Sequence, residues 1–271
     1  MATAPIDSEA NIIIVRDLKK RFGPQQVLDG VNLVCPRGKI TTIVGPSGCG
    51  KTVLLKHLNL LLRPDSGTII IDGIEVSSLS PGDYDQVREK FGMLFQAGAL
   101  FDSLTIAENV SFPLVERTDL SREEIERLVN EKLAAVGLEG MGHKYPSEIS
   151  GGMQKRAALA RALVHNPKIL LLDEPTTGLD PTRTGAIHNL VRETQQRFGL
   201  SVVMVSHDVP KVFEISDRIA FMHHGQVRLY GTVEEVTAAH DPIFENFLAG
   251  TADPDEDVKR PPRPAVSHVR D

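Results

Sequence analysis

Short apolar runs separated by polar turns dominate the first third of the chain. Alternating apolar positions over residues 11–35, interrupted by a polar turn at 22–26, predict two β-strands. A third strand, KITTIV at 39–44, runs directly into a glycine-rich loop. The next segment, TVLLKHLNLLL, has a helical pattern that we expect Pro64 to close, and TIIIDG then predicts a strand ending in an Asp72-Gly73 turn.

Helical spacing replaces the strand pattern over about residues 97–150. Ser121 and Glu124 form an S-x-x-E capping box, in which each side chain accepts a hydrogen bond from an amide of the first turn. Apolar residues then recur at helical spacing up to Gly137, which we expect to end the helix. This part predicts a helical insertion into an α/β core.

Strands and helices alternate in the last part of the chain. A helix after Ser150 precedes the strand KILLLD, a helix from about Thr182, the strand SVVMVS, a short helix and the strand RIAFMHHG. This rhythm predicts a mainly parallel sheet covered on both faces, and we expect one domain over residues 1–250. Residues 251–271 are rich in proline and charge and poor in apolar side chains, which predicts a disordered tail.

Composition and charge narrow the function classes. The chain has 271 residues, and its net charge of -6 leaves no basic footprint for a nucleic-acid partner. Two cysteines, Cys35 and Cys49, do not suggest a disulfide scaffold and fit a reducing compartment. The sequence shows no secretory signal, and its most apolar stretch is broken by polar residues. These features predict a cytoplasmic protein that does not enter a bilayer by itself.

The glycine-rich loop, GPSGCGKT, matches the phosphate-binding pattern G-x-x-x-x-G-K-[ST] between a predicted strand and a predicted helix. Its glycines let backbone amides converge on phosphate oxygens. We expect Lys51 to reach the β- and γ-phosphates of a nucleotide and Thr52 to ligate Mg²⁺. The residues expected to bind the nucleotide are Gly45, Pro46, Ser47, Gly48, Cys49, Gly50, Lys51 and Thr52.

Further polar residues follow the ends of predicted strands. In ILLLDE, Asp173 fits the role of holding Mg²⁺ and Glu174 that of a general base, although acids also end apolar strands for solubility. His207 follows SVVMVS and Gln96 closes FGMLFQ; each has an ordinary surface role as its alternative. Because the ends of parallel strands meet at one edge of an open sheet, we expect these groups to converge there.

A second phosphate-binding pattern, ISGGM at residues 149–153, opens the helix after Ser150. A serine and two glycines at a helix N-terminus form an anion site, yet a chain with one nucleotide cradle needs only one such site.

Together these motifs, in this order, resemble those of ATP-binding-cassette (ABC) transporter ATPases, and the similarity extends over about residues 12–248. The resemblance implies an α/β ABC ATPase fold with a RecA-like parallel-sheet core, an antiparallel β subdomain and an inserted helical subdomain. It implies that ATP and Mg²⁺ are bound, that Lys51, Gln96 and His207 take part in catalysis, and that Gln96 is also a ligand of the metal. It also places Phe22 where a ring stacks on adenine, with packing of a turn residue as the alternative.

The resemblance also explains the second phosphate site. In ABC ATPases the signature sequence contacts the ATP held by another subunit, so Ser150, Gly151 and Gly152 are expected to complete a neighbour's site, and Asp180 of GLD is also expected to bind the nucleotide. One set of motifs therefore implies a head-to-tail dimer. Met153 departs from the glutamine usual in this signature and cannot donate a side-chain hydrogen bond.

A local stretch narrows the resemblance. FQAGALFDSLTIAENVSFPL at 95–114, together with SGGM, looks like the ATPases of Mla-type phospholipid transporters. This implies a membrane permease and a mammalian-cell-entry lipid-binding protein as partners, at the inner face of the cell membrane. Ala99, Leu100, Phe101 and Leu104 fit either the core or a groove for the permease. An ABC ATPase for a small solute, or a soluble ABC ATPase acting on DNA or ribosomes, remains as an alternative.

Overall fold

The computed structural model describes residues 9–96 and 98–251. Its strands are β1 (Asn11–Phe22), β2 (Gln25–Pro36), β3 (Ile40–Val44), β4 (Ser66–Ile71), β5 (Ile74–Glu75), β6 (Phe91–Leu94), β7 (Ile169–Asp173), β8 (Ser201–Val205), β9 (Arg218–His223) and β10 (Gln226–Gly231). Its α-helices are α1 (Lys51–Leu58), α2 (Asp85–Arg88), α3 (Ile106–Arg117), α4 (Arg122–Ala135), α5 (Gly151–Leu163), α6 (Pro181–Phe198), α7 (Val233–Ala238) and α8 (Pro242–Ala249). Apart from Thr251, the tail predicted to be disordered lies outside the described residues.

The core is a sheet in the order β10-β9-β3-β8-β7-β6, in which every neighbouring pair except β10 and β9 is parallel. Every residue of β3, β7 and β8 is buried, as expected for strands covered on both faces. The carboxyl ends of these three central strands lie side by side. The glycine-rich loop, Glu174 and His207 follow these three strand ends. They therefore lie along one edge of the sheet, as predicted.

A second, antiparallel sheet in the order β2-β1-β4-β5 covers one face of this core. Its apolar side chains form a cluster with α1 and with one face of β7 and β8. Asp72 (φ 48°) and Gly73 (φ 81°) make the predicted turn between β4 and β5. The predicted parallel sheet and the separate antiparallel subdomain are both confirmed.

Helices α3 and α4 form the predicted insertion and pack on α5 over the other face of the core. The capping box at α4 is present, because the amide of Ser121 donates to Glu124 (2.9 Å) and the amide of Glu124 donates to Ser121 (3.3 Å). A second capping box, Thr105 with Glu108, begins α3. Helix α4 ends at Ala135, just before Gly137. Within the described part of the chain, no helix is both long and apolar enough to span a membrane.

The helix after the glycine-rich loop is shorter than predicted. Helix α1 ends at Leu58, well before Pro64. Leu60 takes a left-handed conformation (φ 60°), and the amide of Leu61 donates to the carbonyl of Lys56 at 2.9 Å. The apolar residues beyond the helix follow a turn, so their helical spacing was misleading.

The chain after β9 adds structure that the sequence pattern did not predict. Strand β10 lies at the edge of the core sheet, and α7 and α8 follow it. Phe244 and Phe247 anchor α8, because their ring centroids lie 5.0 and 5.3 Å from that of Phe221. Short elements at an edge bury few residues, which leaves a weak periodic signal.

Asp72 ties the antiparallel sheet to the base of the core. Its carboxylate lies 2.9 Å from Arg37, 2.7 Å from Lys90 and 2.9 Å from Lys168. Burial alone raises the pKa of Asp72, but hydrogen bonds from Lys90, Lys168 and Arg37 outweigh that effect and hold the pKa well below its usual range.

Replacing Asp72 with Asn should lower the free energy of unfolding at pH 7 by about 1–2 kcal/mol, because two of the three cations are partly exposed and screened. The folded-state pKa is depressed, so this contribution is complete above the unfolded-state value of about 3.9 and is lost as the pH falls below it. Denaturant titrations at a series of pH values should show the difference between parent and variant narrowing in acid. The exposed Asp119→Asn serves as control. A difference that does not change with pH would contradict the ion-pair assignment.

Candidate functional site

The glycine-rich loop joins β3 to α1 in a conformation that requires glycine at two positions. Gly45 has φ 151° and Gly50 has φ 106°. A Cβ atom on Gly45 would lie 2.2 Å from the carbonyl oxygen of Met222, and one on Gly50 would lie 2.8 Å from Leu28. A Cβ atom on Gly48 would meet nothing within 4 Å, so the loop is open on that side. The loop therefore packs tightly on the protein and leaves room outside for a ligand.

Lys51 folds back over this loop. Its side chain is 8% exposed, and Nζ donates to the carbonyl oxygens of Gly45 (2.8 Å) and Pro46 (2.9 Å). Neutral carbonyl oxygens leave its charge uncompensated, which favours an anion beside it. The thiol of Cys49 is buried, and that burial raises its pKa. Backbone amides, not the thiol, are therefore the groups that this loop can offer to a phosphate.

Thr52 and Asp173 bring α1 and β7 together. The hydroxyl of Thr52 lies 3.4 Å from Oδ1 of Asp173, which is buried. Burial raises the pKa of Asp173, and the nearby charge of Glu174 raises it further. Hydroxyl and carboxylate oxygens suit Mg²⁺, which keeps several waters and is held by one or two carboxylates plus substrate phosphates. This pair fits an ion that is shared with a phosphate. The described residues contain no group of three or more His, Cys, Asp or Glu side chains that could hold a metal.

Glu174 follows β7 in a left-handed conformation (φ 52°), which is costly for a residue with a side chain and is often kept at functional sites. Its amide donates to the carbonyl of Val205 at 3.0 Å, which fixes it to the end of β8. Its carboxylate contacts Nδ1 of His207 and lies 3.4 Å from the hydroxyl of Thr177. Two neighbours that can donate orient this carboxylate at the edge of the site.

Gln96 and Phe22 lie at the surface. Gln96 follows the end of β6, and its side chain is exposed. Its main-chain carbonyl oxygen accepts a hydrogen bond from the ammonium group of Lys155. Phe22 ends β1 with 45% of its surface exposed, and the ammonium group of Lys20 lies 5.6 Å from the ring centroid. An exposed ring is available for stacking.

Ser150 of the second phosphate pattern and Asp180 each begin a helix. The hydroxyl of Ser150 accepts from the amide of Met153 (3.3 Å), and so begins α5. Asp180 begins α6 in the same way and pairs with Arg183 (3.1 Å), which also approaches Gly152. Within residues 9–96 and 98–251, no hydrogen bond or ion pair joins this second group to the glycine-rich loop.

Sequence reasoning missed three residues at this site: Thr177 beside Glu174, and Lys155 and Arg161, which contact the segment after β6. For Thr177, the position just before the GLD sequence was an available signal. No pattern along the chain indicates which main-chain atoms the side chains of Lys155 and Arg161 reach.

The protein combines a parallel-sheet core and its phosphate-binding loop with a separate helical subdomain. Two adjacent acids, Asp173 and Glu174, lie at the edge of the sheet beside that loop. This combination is that of an ABC-type ATPase. The sequence matches the ABC transporter family over residues 28–177, and the chain belongs to that family and is an ATPase. It is 41% identical over 246 residues to the intermembrane phospholipid transport ATP-binding protein MlaF of Escherichia coli K12, covering 91% of each chain.

Two further comparisons agree with the family. The chain is 41% identical over 238 residues to the "Probable ribonucleotide transport ATP-binding protein mkl" of Mycobacterium tuberculosis, covering 88% of this chain but only 66% of that relative. Among solved structures, a dimeric post-hydrolysis state of the ATP-binding cassette MJ0796 bound to ADP and Pi superposes with a TM-score of 0.74 at 33% identity, covering 82% of this chain and 98% of that one. The predicted ABC ATPase fold is confirmed.

Proposed function

We propose that this protein is the ATP-hydrolysing subunit of a transporter that moves phospholipid between bacterial membranes. The observation that carries the proposal is its similarity to MlaF, which spans 91% of both chains. The mycobacterial relative has a different cargo in its name, but this chain spans only 66% of its length. The phospholipid assignment is therefore favoured over a small solute.

The loop at 45–52 is assigned to the phosphates of ATP, and Lys51 to the β- and γ-phosphates. Thr52, Asp173 and Gln96 are assigned as the residues that would hold Mg²⁺, which neutralises phosphate charge. Glu174 accepts the proton of the attacking water, and His207 holds its carboxylate in place. Phe22 stacks on the adenine.

Two copies are proposed to bind head to tail, so that Ser150, Gly151 and Gly152 of one chain complete the phosphate site of the other, with Asp180 beside them. Support comes from the exposed position of Ser150 and Gly151. Helix N-terminal amides and a hydroxyl are suited to a γ-phosphate that is already held from the other side.

A groove of about 460 Å³ between α3 and α5 is proposed to bind a cytoplasmic helix of the membrane permease. Its walls include the exposed rings of Phe95, Phe101 and Phe112, and the centroids of the last two lie 5.0 Å apart. Leu100, in contrast, packs against the core, so the apolar residues after Gln96 divide between the two roles considered from the sequence. In this arrangement the protein lies peripherally at the cytoplasmic face of the inner membrane, with a lipid-binding mammalian-cell-entry protein as a further partner.

Replacing Phe101 with Ser should weaken binding to the permease by about 30-fold, the effect of losing one central aromatic anchor. The ATPase activity of the isolated chain should stay unchanged, because within the described residues the hydrogen bonds and ring contact of Phe101 are with Asn109, Leu104 and Phe112, none of which is assigned to ATP. Tyr145→Ser, which removes an exposed ring outside the groove, is the matched control. The measurement is recovery of the permease with a tagged chain from solubilised membranes. Equal recovery with parent and Phe101→Ser would place the permease elsewhere.

The cargo is tested on the complex that co-purifies with the tagged chain. After reconstitution into proteoliposomes, phospholipid should stimulate ATP hydrolysis and move between membranes in an ATP-dependent way. Stimulation by ribonucleosides or another small solute instead would favour the second candidate. Co-purification of nucleic acid without an integral membrane protein would overturn the transporter assignment.

A further inference from the structure

The segment after β6 that carries Gln96, Gly98 and Ala99 is held against α5 by hydrogen bonds from two side chains of that helix. The ammonium group of Lys155 donates to the carbonyl oxygen of Gln96. The guanidinium group of Arg161 donates to the carbonyl oxygens of Gly98 and Ala99, both at 2.7 Å. All three contacts end on main-chain atoms, so they fix the path of the backbone.

These contacts come from one face of the helix. Lys155 and Arg161 lie on either side of Ala158 at a spacing of three residues, which places the three side chains in a row. A Cβ atom added to Gly98 would lie 3.6 Å from the Cβ of Ala158, so the segment rests directly on the helix there. Ala99 takes an uncommon left-handed conformation (φ 50°), and its carbonyl is one of the two that Arg161 holds.

The charge of Lys155 makes its contact strong. The residue is 8% exposed, and Lys155 forms no ion pair with a carboxylate within the described ranges. A partly buried ammonium group without a carboxylate partner is destabilised unless other groups accept its hydrogen bonds. The carbonyl of Gln96 is such a group, so displacing it from Lys155 is unfavourable.

Helix α5 also begins at Ser150, the residue assigned to the partner's ATP. We propose that Lys155 is a positioning residue of the ATPase: its ammonium group fixes the main chain at Gln96, while Arg161 fixes Gly98 and Ala99 on the same helix. The inference rests on the proposed roles of Gln96 and Ser150.

The test uses the full chain carrying Glu174→Gln, so that nothing depends on hydrolysis. Sedimentation measures ATP-driven dimerisation as Mg²⁺ is titrated. Adding Lys155→Met should raise the Mg²⁺ concentration at half-maximal dimerisation by about tenfold or more, the effect of removing a group that orients a metal ligand. Binding of a fluorescent ATP analogue to the monomer without Mg²⁺ should not change. Hydrogen exchange of the amides of residues 98–104 should become faster even without nucleotide.

Arg156→Met is the matched control, because it removes the same charge from the same helix but its guanidinium group contacts the carbonyl of Val136. Lys155→Arg, which keeps a charged donor, should restore most of the Mg²⁺ response. If Lys155→Met loses its circular dichroism signal, Lys155→Gln carries the same comparison.

A Lys155→Met titration that matches its parent would overturn the inference and leave the proposed function intact. A parent that fails to dimerise with MgATP would instead overturn the proposed dimer and, with it, this inference. Unchanged exchange at residues 98–104 would show that Lys155 does not hold the segment.

Discussion

Replacing Glu174 with Gln should leave ATP binding intact and slow ATP hydrolysis by about 10²- to 10⁴-fold, the contribution of general-base catalysis. Glutamine keeps the size of the side chain but cannot accept the proton of the attacking water. Its backbone contact with Val205 is unaffected, so the site should keep its shape. Because the bound ATP is not consumed, the variant should also accumulate as a closed dimer.

Steady-state ATPase assays and size-exclusion chromatography with MgATP measure these two effects. Glu193→Gln, an exposed change on α6, makes the same substitution away from the site and should behave as the parent. Hydrolysis by Glu174→Gln at the parent's rate would remove Glu174 from the catalytic role.

Replacing Lys51 with Ala should weaken the binding of ATP by the isolated chain by about 10- to 100-fold, the range for a hydrogen bond to a charged group. Within the described residues, the ammonium group of Lys51 donates to two carbonyl oxygens of the loop, those of Gly45 and Pro46. A phosphate offers a better acceptor for the same charge.

Lys56→Ala is the matched control, since it removes the same charge from an exposed position on α1. Calorimetric titration with ATP compares the two variants. Normal binding by Lys51→Ala would show that the loop at 45–52 does not hold the phosphates.

The edge of the core sheet could be predicted because its signals are local. A buried strand followed directly by a glycine loop, by Asp173 and Glu174, or by His207 places each group at a strand end, and parallel strands bring those ends together. The contact between Glu174 and His207 follows from β7 and β8 being neighbours, although no sequence pattern specified that order.

Other features depend on contacts between distant residues. The left-handed conformation of Leu60 ends α1 inside an apolar run, and spacing alone cannot reveal such a turn. Lys155 resembles any lysine on a helix until the segment carrying Gln96 lies over it. Phe101 and Leu100 are neighbours in sequence with similar character, but only the fold shows that one lines a groove and the other a core.

The central claim is that each chain completes the ATP site of its partner, and dimers that combine two different lesions test it. One chain carries Ser150→Ala and the other Lys51→Ala, both in the Glu174→Gln background, with different tags for isolating the mixed dimer. If the signature acts on the partner's nucleotide, both lesions fall in one composite site and the other site keeps intact parts from both chains.

The measurement counts the MgATP retained by each isolated dimer. We predict two bound nucleotides in the parent, one in the mixed dimer, and little in either variant alone, while Ser150→Ala monomers still bind ATP. If Ser150 instead serves its own chain, each half of the mixed dimer carries one defective site. Retention no higher than in the pure variants, together with loss of ATP binding by the Ser150→Ala monomer, would contradict the claim.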